Sequence, residues 1–281
     1  MNAAKRLRVW SVVITVFGDA VIPRGGMIGM AALQDLTTRM GVAPGALRAA
    51  MSRLAKDGWV VRLRHGRRSY YRLSRESAAT SIAAGDRFYA AGPPGWDGSL
   101  EVAIAPEEPA GERDARTATM AGAGFVRIGN GTYIRPGRVA DAAAIPKDMF
   151  VLAAAADAVP DWVTGFVSDP DVAQGYTSIL ADFGSLDAAL ARGSTLSPLD
   201  AVVARTLLIH DWRRVVLRDA ALPNRLRPRD WPGEDARSLV KRLYRRLLEP
   251  SERWLDQCDG RPDAPLPKPG AMLAQRFGGG I

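Results

Sequence analysis

The sequence predicts a multidomain protein of the α+β class, and three observations lead to this prediction. Residues 1–92 combine helical patterns with a short hairpin, residues 98–159 alternate strand and helix patterns, and residues 160–260 carry helical patterns throughout. The last residues, 261–281, are rich in Pro and Gly and are expected to form a flexible tail. A chain of 281 residues is long enough for the three domains that these patterns indicate.

The first domain begins with an apolar helix, expected over Lys5–Asp19. Residues at helical spacing within it are Leu7, Trp10, Ile14 and Phe17. The apolar run Val9–Ile22 is interrupted by Gly18 and Asp19 and is shorter than the ~20 residues of a membrane helix, so we expect no membrane association. The single cysteine, Cys258, excludes an internal disulfide framework and indicates a cytoplasmic protein.

Two more helices are expected after a short strand at Gly25–Met30. The second helix is marked by Leu33, Leu36 and Met40, Gly41 forms the turn, and Pro44 takes the first position of the third helix. One face of the third helix is apolar and carries Leu47, Ala50, Met51 and Leu54. The opposite face is polar and cationic and carries Arg48, Ala49, Ser52, Arg53 and Lys56.

A basic hairpin follows, because two β-branched and aromatic runs flank a turn around Gly66. A helix followed by an arginine-tipped hairpin is typical of a winged helix-turn-helix, whose third helix enters the major groove and whose wing lies along the phosphates. Tyr70 and Tyr71 alternate along the returning strand, so one is expected to pack on the core and the other to face out. The candidate DNA-binding residues are Arg48, Ser52, Arg53, Lys56, Arg64, Arg67, Arg68 and Tyr70.

The charge distribution favours the same interpretation. Residues 1–75 contain 14 Lys and Arg against 3 Asp and Glu, a net charge of +11, whereas the whole chain carries only +8. Positive charge concentrated on one domain is expected of a nucleic-acid-binding module attached to something else. A solvated basic surface is the alternative, but here the charge coincides with the helix-turn-helix pattern.

The middle of the chain predicts a ferredoxin-like (Cas2-like) domain. After a helix at 77–90 and a Gly/Pro-rich boundary at Ala91–Gly98, the order is strand, helix, hairpin and strand, with a short segment that can hold a second helix before the last strand. The predicted elements are Leu100–Ala105, 110–122, a hairpin Phe125–Arg135 turning at Asn130-Gly131, and Met149–Ala156.

Helices are expected at 170–192, 197–217, 234–249 and 250–257, with a Pro-rich connector between the second and the third. The helix Ala236–Leu248 carries Lys241, Arg242, Arg245 and Arg246 beside an apolar stripe. Two interpretations stay open: a solvated cationic edge, or a site for phosphate groups.

The third helix and the hairpin resemble the DNA-binding domain of the phenylacetate-degradation repressor family, the PaaX-like regulators. The resemblance rests on Arg48, Arg53, Leu54, Gly58, Trp59 and the Gly66–Tyr71 run. A second stretch, Trp212–Gly233, resembles the C-terminal motif of that family, with Ala220 in place of its proline. The resemblance as a whole covers roughly residues 5 to 257.

This resemblance implies a repressor of an aromatic-acid or related catabolic operon, released by an acyl-CoA effector such as phenylacetyl-CoA. Its partners are then a double-stranded DNA operator and a second copy of the chain, because two half-sites multiply specificity. The phosphates of such an effector need cations, and the available residues are Arg213, Arg214, Arg218, Lys241 and Arg245. An apolar pocket between the middle and C-terminal domains is expected from Trp162, Phe166, Tyr176, Phe183, Trp212 and Trp231.

Two alternatives stay open, a DNA-binding regulator without a small-molecule switch and a metal-dependent nuclease. The resemblance of the middle domain to Cas2 nucleases suggests the second, but the Asp at the end of their first strand is replaced here by Ala105-Pro106, followed by Glu107 and Glu108. The histidines His65 and His210 have no Cys or carboxylate at metal-ligand spacing. We therefore expect no enzyme, no cofactor and no metal.

Overall fold

The computed structural model describes residues 8–107, 109–137 and 145–279. The fold is mixed α/β, with helices and antiparallel sheets, and the chain forms two compact units. The first unit comprises the chain up to Ala91, Tyr176–Leu217, and the chain from Glu234 onward, and the second comprises Gly92–Gly175 and Arg218–Gly233. We expected three domains, but most of the C-terminal helical region belongs to the unit that contains the N-terminal helices.

A large apolar core lies in the first unit. Its helices and strands up to residue 91 are α1 (Val9–Val16), β1 (Met27–Gly29), α2 (Met30–Arg39), α3 (Pro44–Lys56), β2 (Val60–His65), β3 (Arg68–Leu73) and α4 (Arg75–Phe88). The strands form an antiparallel sheet in the order β1-β3-β2. Val202 and Val203 are buried in the same core as Phe17, Leu36 and Leu54, which explains why this helical region does not form a domain of its own.

Helices and short strands from the C-terminal part complete the first unit. After α6 (Asp161–Phe166) in the second unit, they are α7 (Pro170–Ala191) from Tyr176 onward, α8 (Pro198–Val216), α9 (Gly233–Leu255) from Glu234 onward, β8 (Asp259–Arg261), β9 (Ala264–Pro265) and α10 (Ala271–Ala274). The prediction of separate helices at 234–249 and 250–257 was wrong, because α9 continues through Pro250. Within the described residues, no helix combines the length and the hydropathy needed to cross a membrane.

The second unit contains an antiparallel sheet in the order β5-β6-β4-β7. Its elements are β4 (Ser99–Ile104), α5 (Ala110–Gly122), β5 (Val126–Arg127), β6 (Thr132–Pro136) and β7 (Phe150–Ala155). Strand β6 is antiparallel to both β4 and β5. Strands β4 and β5 therefore run parallel to each other, with β6 between them. Ala103, Met120, Phe125, Tyr133 and Met149 form the core beneath α5.

Parts of two expected elements, and one candidate residue, lie outside the described residues. They are the start of the first helix at Lys5, Glu108, and most of the segment between β6 and β7 that can hold a second helix. Within the described part, α1 ends at Val16 and the chain continues as a π-helical turn, Phe17–Val21, that carries Asp19.

The structure corrects the prediction of a flexible tail at residues 261–281, because this segment is folded as far as residue 279. Leu266, Leu273 and Phe277 are buried, and the Phe277 N–H donates to the Tyr89 carbonyl at 2.7 Å. Pro and Gly content predicted disorder, but apolar residues spaced among them supply enough buried surface to hold the segment on the first unit.

A buried cluster of charged and phenolic groups lies behind this segment. The carboxylate of Asp19 accepts hydrogen bonds from Arg205 Nε and Arg276 Nη1, both at 2.7 Å. It also accepts from the hydroxyls of Tyr89 and Tyr244. The Arg276 guanidinium lies 4.0 Å from the centre of the Tyr89 ring, so the C-terminal segment supplies both charge and packing to this cluster.

Candidate nucleic-acid interface

Helix α3 presents a cationic outer face, as its sequence pattern predicts. Pro44 takes the first helical position, where its missing N–H is not needed. Leu47, Met51 and Leu54 are buried against the rest of the first unit. The exposed side chains of the helix include Arg48, Ala49, Ser52, Arg53 and Lys56.

The hairpin β2–β3 follows directly and turns at Gly66, whose φ of +58° lies in the left-handed region that glycine adopts readily. The strands pair antiparallel from Val60–Leu73 to His65–Arg68. Val60 and Leu73 anchor the base of the hairpin in the core, while Arg64, Arg67 and Arg68 near the tip are exposed. The hairpin therefore presents these three cations near the tip of a short, well-anchored element.

A groove of 760 Å³ joins the helices to the hairpin. Its lining brings Arg48 and Ser52 of α3 together with Arg67 and Arg68 of the hairpin. Of the other candidates, Arg53, Lys56 and Arg64 are exposed but do not line this groove. The acidic residue in the lining is Asp259, so the groove is cationic overall.

Arg62 is a groove residue that the sequence analysis missed. It lines the groove, is exposed, and its Nη2 donates to Ser69 Oγ at 2.8 Å. The alternation of side chains along a strand could have predicted Arg62, because Arg62 lies on the same strand face as the candidate residue Arg64.

The structure corrects one of the candidate DNA-binding residues, Tyr70. Its side chain is fully buried and its hydroxyl donates to Asp259 Oδ1 at 3.1 Å. Tyr71 is buried as well, so the prediction that one of the two tyrosines faces solvent was wrong. Strand β8 covers this part of the sheet closely. Gly29 is the partner of Tyr70 in the sheet, and a Cβ added to Gly29 would lie only 2.5 Å from Asp259 Oδ2.

The candidate effector-binding residues differ in their burial and in the unit that contains them. Arg213 points into the first unit, where its Nε donates to Thr15 Oγ1 at 2.8 Å and its Nη2 to the Ser11 carbonyl at 3.0 Å. Arg214 and Arg245 are exposed, and Lys241 is half-buried, within the first unit. Arg218 is exposed in the second unit.

The aromatic residues expected to wall an effector pocket are also divided between the units. Tyr176 and Trp212 are buried together in the first unit, with ring centres 5.6 Å apart. Trp162 and Phe166 form an edge-to-face pair in the second unit, and each is 58% exposed. Trp231, also in the second unit, packs under the guanidinium of Arg227 at 4.4 Å.

Titratable groups suited to metal binding are not gathered in the part of the chain that the structure describes. No group of three His, Cys, Asp or Glu residues there can hold a metal ion. Glu107, next to the end of β4, is exposed. His65 lies 3.8 Å from Asp263, and both of these side chains are largely exposed.

Two models of one protein family match this chain. The PaaX-like protein model matches residues 8–77, and the model of the PaaX-like protein C-terminal domain matches residues 168–257. The chain belongs to the PaaX-like family. The first match contains α1 to β3, and hence all the cationic groove residues, and the second extends from the start of α7 to the end of α9.

Two similar proteins cover nearly the whole chain. Transcriptional repressor PaaX from Escherichia coli (strain K12) is 28% identical over 283 residues, which include 96% of this chain and 90% of that protein. Rv0674 from Mycobacterium tuberculosis has a solved structure that aligns with a TM-score of 0.59 and 22% sequence identity, over 88% of this chain and 98% of that one. This second likeness concerns the fold.

The C-terminal PaaX-like motif forms a turn in the second unit. Asp219 is buried, accepts from the Ala221 N–H at 3.0 Å and pairs with Arg227. Ala221 has a left-handed backbone with φ of +53°. The Asp at the start of the motif therefore holds the turn, and the Arg227–Trp231 stack fixes its far end.

Proposed function

We propose that this protein is a sequence-specific DNA-binding transcriptional repressor and that α1–α3 with the hairpin form a winged helix-turn-helix. The observation that carries the proposal is the exposed groove in which Arg48 and Ser52 of one helix meet Arg67 and Arg68 of the hairpin. The name of the Escherichia coli relative supports the repressor role.

Helix α3 is the proposed reader of base edges. Arg48, Ser52 and Arg53 lie on its exposed face, and a helix held in the major groove keeps such side chains in a fixed frame. Arg62, Arg64, Arg67 and Arg68, with Lys56, are proposed to contact phosphates. The arginines at the hairpin tip lie on a glycine turn, which gives them no helical frame to hold a base-reading geometry.

The proposed assembly is a homodimer on a two-part operator. One recognition helix reads only a few base pairs, and a pair of half-sites related by two-fold symmetry supplies the missing specificity. The second unit is proposed to be a ferredoxin-like domain, which is supported by its strand order and by the parallel pair β4 and β5 separated by β6.

An acyl-CoA thioester is the proposed effector, as the family resemblance suggests. Of the five candidate cations, Arg213 is held inside the first unit and Arg218 belongs to the second unit, which leaves Arg214, Lys241 and Arg245 of the first unit as proposed phosphate contacts. Titrating phenylacetyl-CoA and related thioesters into the protein–operator complex tests this. If no thioester releases DNA, the regulator without a small-molecule switch replaces this part of the proposal.

The DNA-reading role is tested with Arg48→Ala. A good Arg–guanine pair contributes ~1–3 kcal/mol of discrimination, so operator affinity is expected to fall by roughly 5- to 150-fold while binding to random DNA changes little. Arg75→Ala is the matched control, because Arg75 is exposed at the start of α4 and does not line the groove.

Binding is measured by fluorescence anisotropy on both DNAs. Equal losses on operator and random DNA would assign Arg48 to phosphate contacts only. An unchanged affinity for both would remove α3 from the interface and overturn the proposal.

A further inference from the structure

A hairpin from the C-terminal segment lies beside the hairpin β2–β3. It consists of β8 and β9, which are joined by a turn at Pro262 and Asp263. The two family models match residues 8–77 and 168–257, so this hairpin lies outside both matches. The DNA interface proposed above, built from α3 and the hairpin β2–β3, does not include it either.

The bases of the two hairpins are buried in the same core. Val60 and Leu73 form the base of β2–β3 there, and Cys258 and Leu266 flank β8–β9. The hairpin β8–β9 is also closely packed within itself, because a Cβ added to Gly260 would lie 2.3 Å from the Leu266 backbone nitrogen. This hairpin is therefore as firmly anchored in the first unit as β2–β3.

Two further contacts hold the hairpins side by side. Asp259, at the start of β8, accepts from the Tyr70 hydroxyl at 3.1 Å and lines the cationic groove. At the other end of β8–β9, the Asp263 carboxylate in the turn lies 3.8 Å from Nδ1 of His65, the last residue of β2. The tip of β8–β9 is therefore next to the tip of β2–β3.

Arg261 lies between these two contacts. It is two residues from Asp259 and two from Asp263, and a chain spans at most ~3.3–3.6 Å per residue, so its Cα is within about 7 Å of the Cα of each. The Arg261 side chain is exposed, and among the described residues it has no hydrogen-bond or ion-pair partner. Arg261 is therefore an available cation beside the cations of the β2–β3 tip.

The two carboxylates that flank Arg261 lie close to a cation of β2–β3. A hydrogen bond to the Tyr70 hydroxyl raises the pKa of the Arg68 guanidinium, and the charges of Asp259 and Asp263 raise it further. The negative charge of β8–β9 is thus compensated by β2–β3, whereas no described residue compensates the charge of Arg261.

We propose that β8–β9 is a second DNA-contacting hairpin and that Arg261 contacts a backbone phosphate. Double-stranded DNA carries one negative charge per ~1.7 Å of helix axis, so a cation beside a hairpin docked on DNA lies close to phosphates. Arg64, a proposed phosphate contact, is likewise exposed near a hairpin tip and outside the groove lining. The inference rests on the proposed DNA-binding function and extends its interface to a segment that follows α9.

Binding of the full chain to a random-sequence DNA duplex tests this, because a phosphate contact requires no operator. Fluorescence anisotropy between about 50 and 200 mM NaCl gives the slope of log affinity against log salt. Arg261→Ala is expected to reduce this slope by about 0.9, the value for one lost phosphate contact. Arg261→Lys is expected to retain the slope of the unaltered chain, because lysine also binds phosphate as a cation.

Arg253→Ala is the matched control, since it removes the same charge from the same part of the chain. Arg253 is 60% exposed near the end of α9 and does not line the groove. Its loss is expected to leave the slope unchanged. Arg67→Ala, at the tip of β2–β3, is the positive reference and is expected to reduce the slope by about 0.9 as well.

The inference is overturned if Arg261→Ala leaves the slope unchanged, if Arg261→Lys loses as much slope as Arg261→Ala, or if Arg253→Ala reduces the slope equally. A reduced slope for Arg67→Ala with none for Arg261→Ala removes β8–β9 from the interface and leaves the proposed function standing. An unaltered chain that binds neither random nor operator DNA overturns the proposed function, and this inference with it.

Discussion

At the scale of single residues, Asp19 shows how a buried charge is accommodated in the first unit. Burial raises the pKa of its carboxyl, but the charges of Arg205 and Arg276 and the hydrogen bonds from Tyr89 and Tyr244 outweigh it and place the pKa below 3.8. The carboxylate is therefore ionised throughout the physiological range. Because the folded pKa is depressed, its contribution to stability is present above pH 3.8 and is lost as pH falls through the folded pKa.

Asp19→Asn is expected to lower the free energy of unfolding by about 3–5 kcal/mol, because it leaves Arg205 and Arg276 buried without their shared anion. Urea unfolding at pH 7 measures this. Asp182→Asn, an exposed carboxylate on α7, is the control and should change stability by no more than about 0.5 kcal/mol. A loss for Asp19→Asn as small as the control's would mean that the two arginines are stabilised by their other partners.

His210 gives the protein a second pH dependence. Burial, together with the charges of Arg213 and Arg214, lowers its pKa to about 4 from 6.5. The imidazole is therefore neutral in the folded chain and charged in the unfolded chain between these values. The contribution of neutral His210 to the free energy of unfolding is fully present above pH 6.5. It falls by about 3 kcal/mol as the pH drops toward 4.

His210→Gln is expected to flatten the stability profile between pH 6.5 and 4.5, as measured by urea unfolding at several pH values. His65→Gln is a matched control, because His65 is the only other histidine of the sequence and its side chain is 54% exposed. A profile for His210→Gln that still follows the unaltered chain would assign the pH dependence to carboxylates.

At the scale of elements, the hairpin carries a prediction about salt. Removing one phosphate-binding cation reduces the slope of log affinity against log salt by about 0.9, so Arg67→Ala/Arg68→Ala is expected to reduce it by about 1.8. The measurement is operator binding between about 50 and 200 mM NaCl. An unchanged slope would exclude the hairpin from the phosphate backbone, whatever the change in affinity.

Elements whose pattern is local were predicted well from the sequence. Helix α3 was expected to begin at Pro44 and end before Gly58, and it spans Pro44–Lys56. The hairpin, β4 and the Asn130-Gly131 turn were predicted because their turn residues and alternation lie within a few positions of each other. The exposed cations of the proposed interface follow from the same periodicity.

Elements fixed by distant contacts were not predicted. Tyr70 was expected on the surface, but Asp259 covers it from 189 positions away in the chain. The C-terminal segment was expected to be a tail, but Arg276 completes the cluster around Asp19. Neither contact leaves a periodic signal in the sequence, because each depends on side chains brought together only by the folded first unit.

At the scale of the whole molecule, the first unit is assembled from the two ends of the described chain. A chain shortened to residue 269 lacks Arg276 and the buried Phe277, and its Tm is expected to fall by at least roughly 6 °C because one partner of a buried ion pair is removed. Differential scanning calorimetry measures this. Met272→Ala, a change at an exposed position of the same segment, should lie within about 2 °C of the unaltered chain.

The pairing of Asp19 with Arg276 also sets an order of events during translation. The two residues are separated by 257 positions. At ~5–20 residues per second, the ribosome needs about 13–50 seconds to make that length. For most of this interval the nascent chain already contains α3 and the hairpin, whereas the Asp19 carboxylate lacks Arg276, and until residue 205 is made it lacks Arg205 as well. The buried charge cluster around Asp19 is therefore completed only after almost all of the described chain has been synthesised.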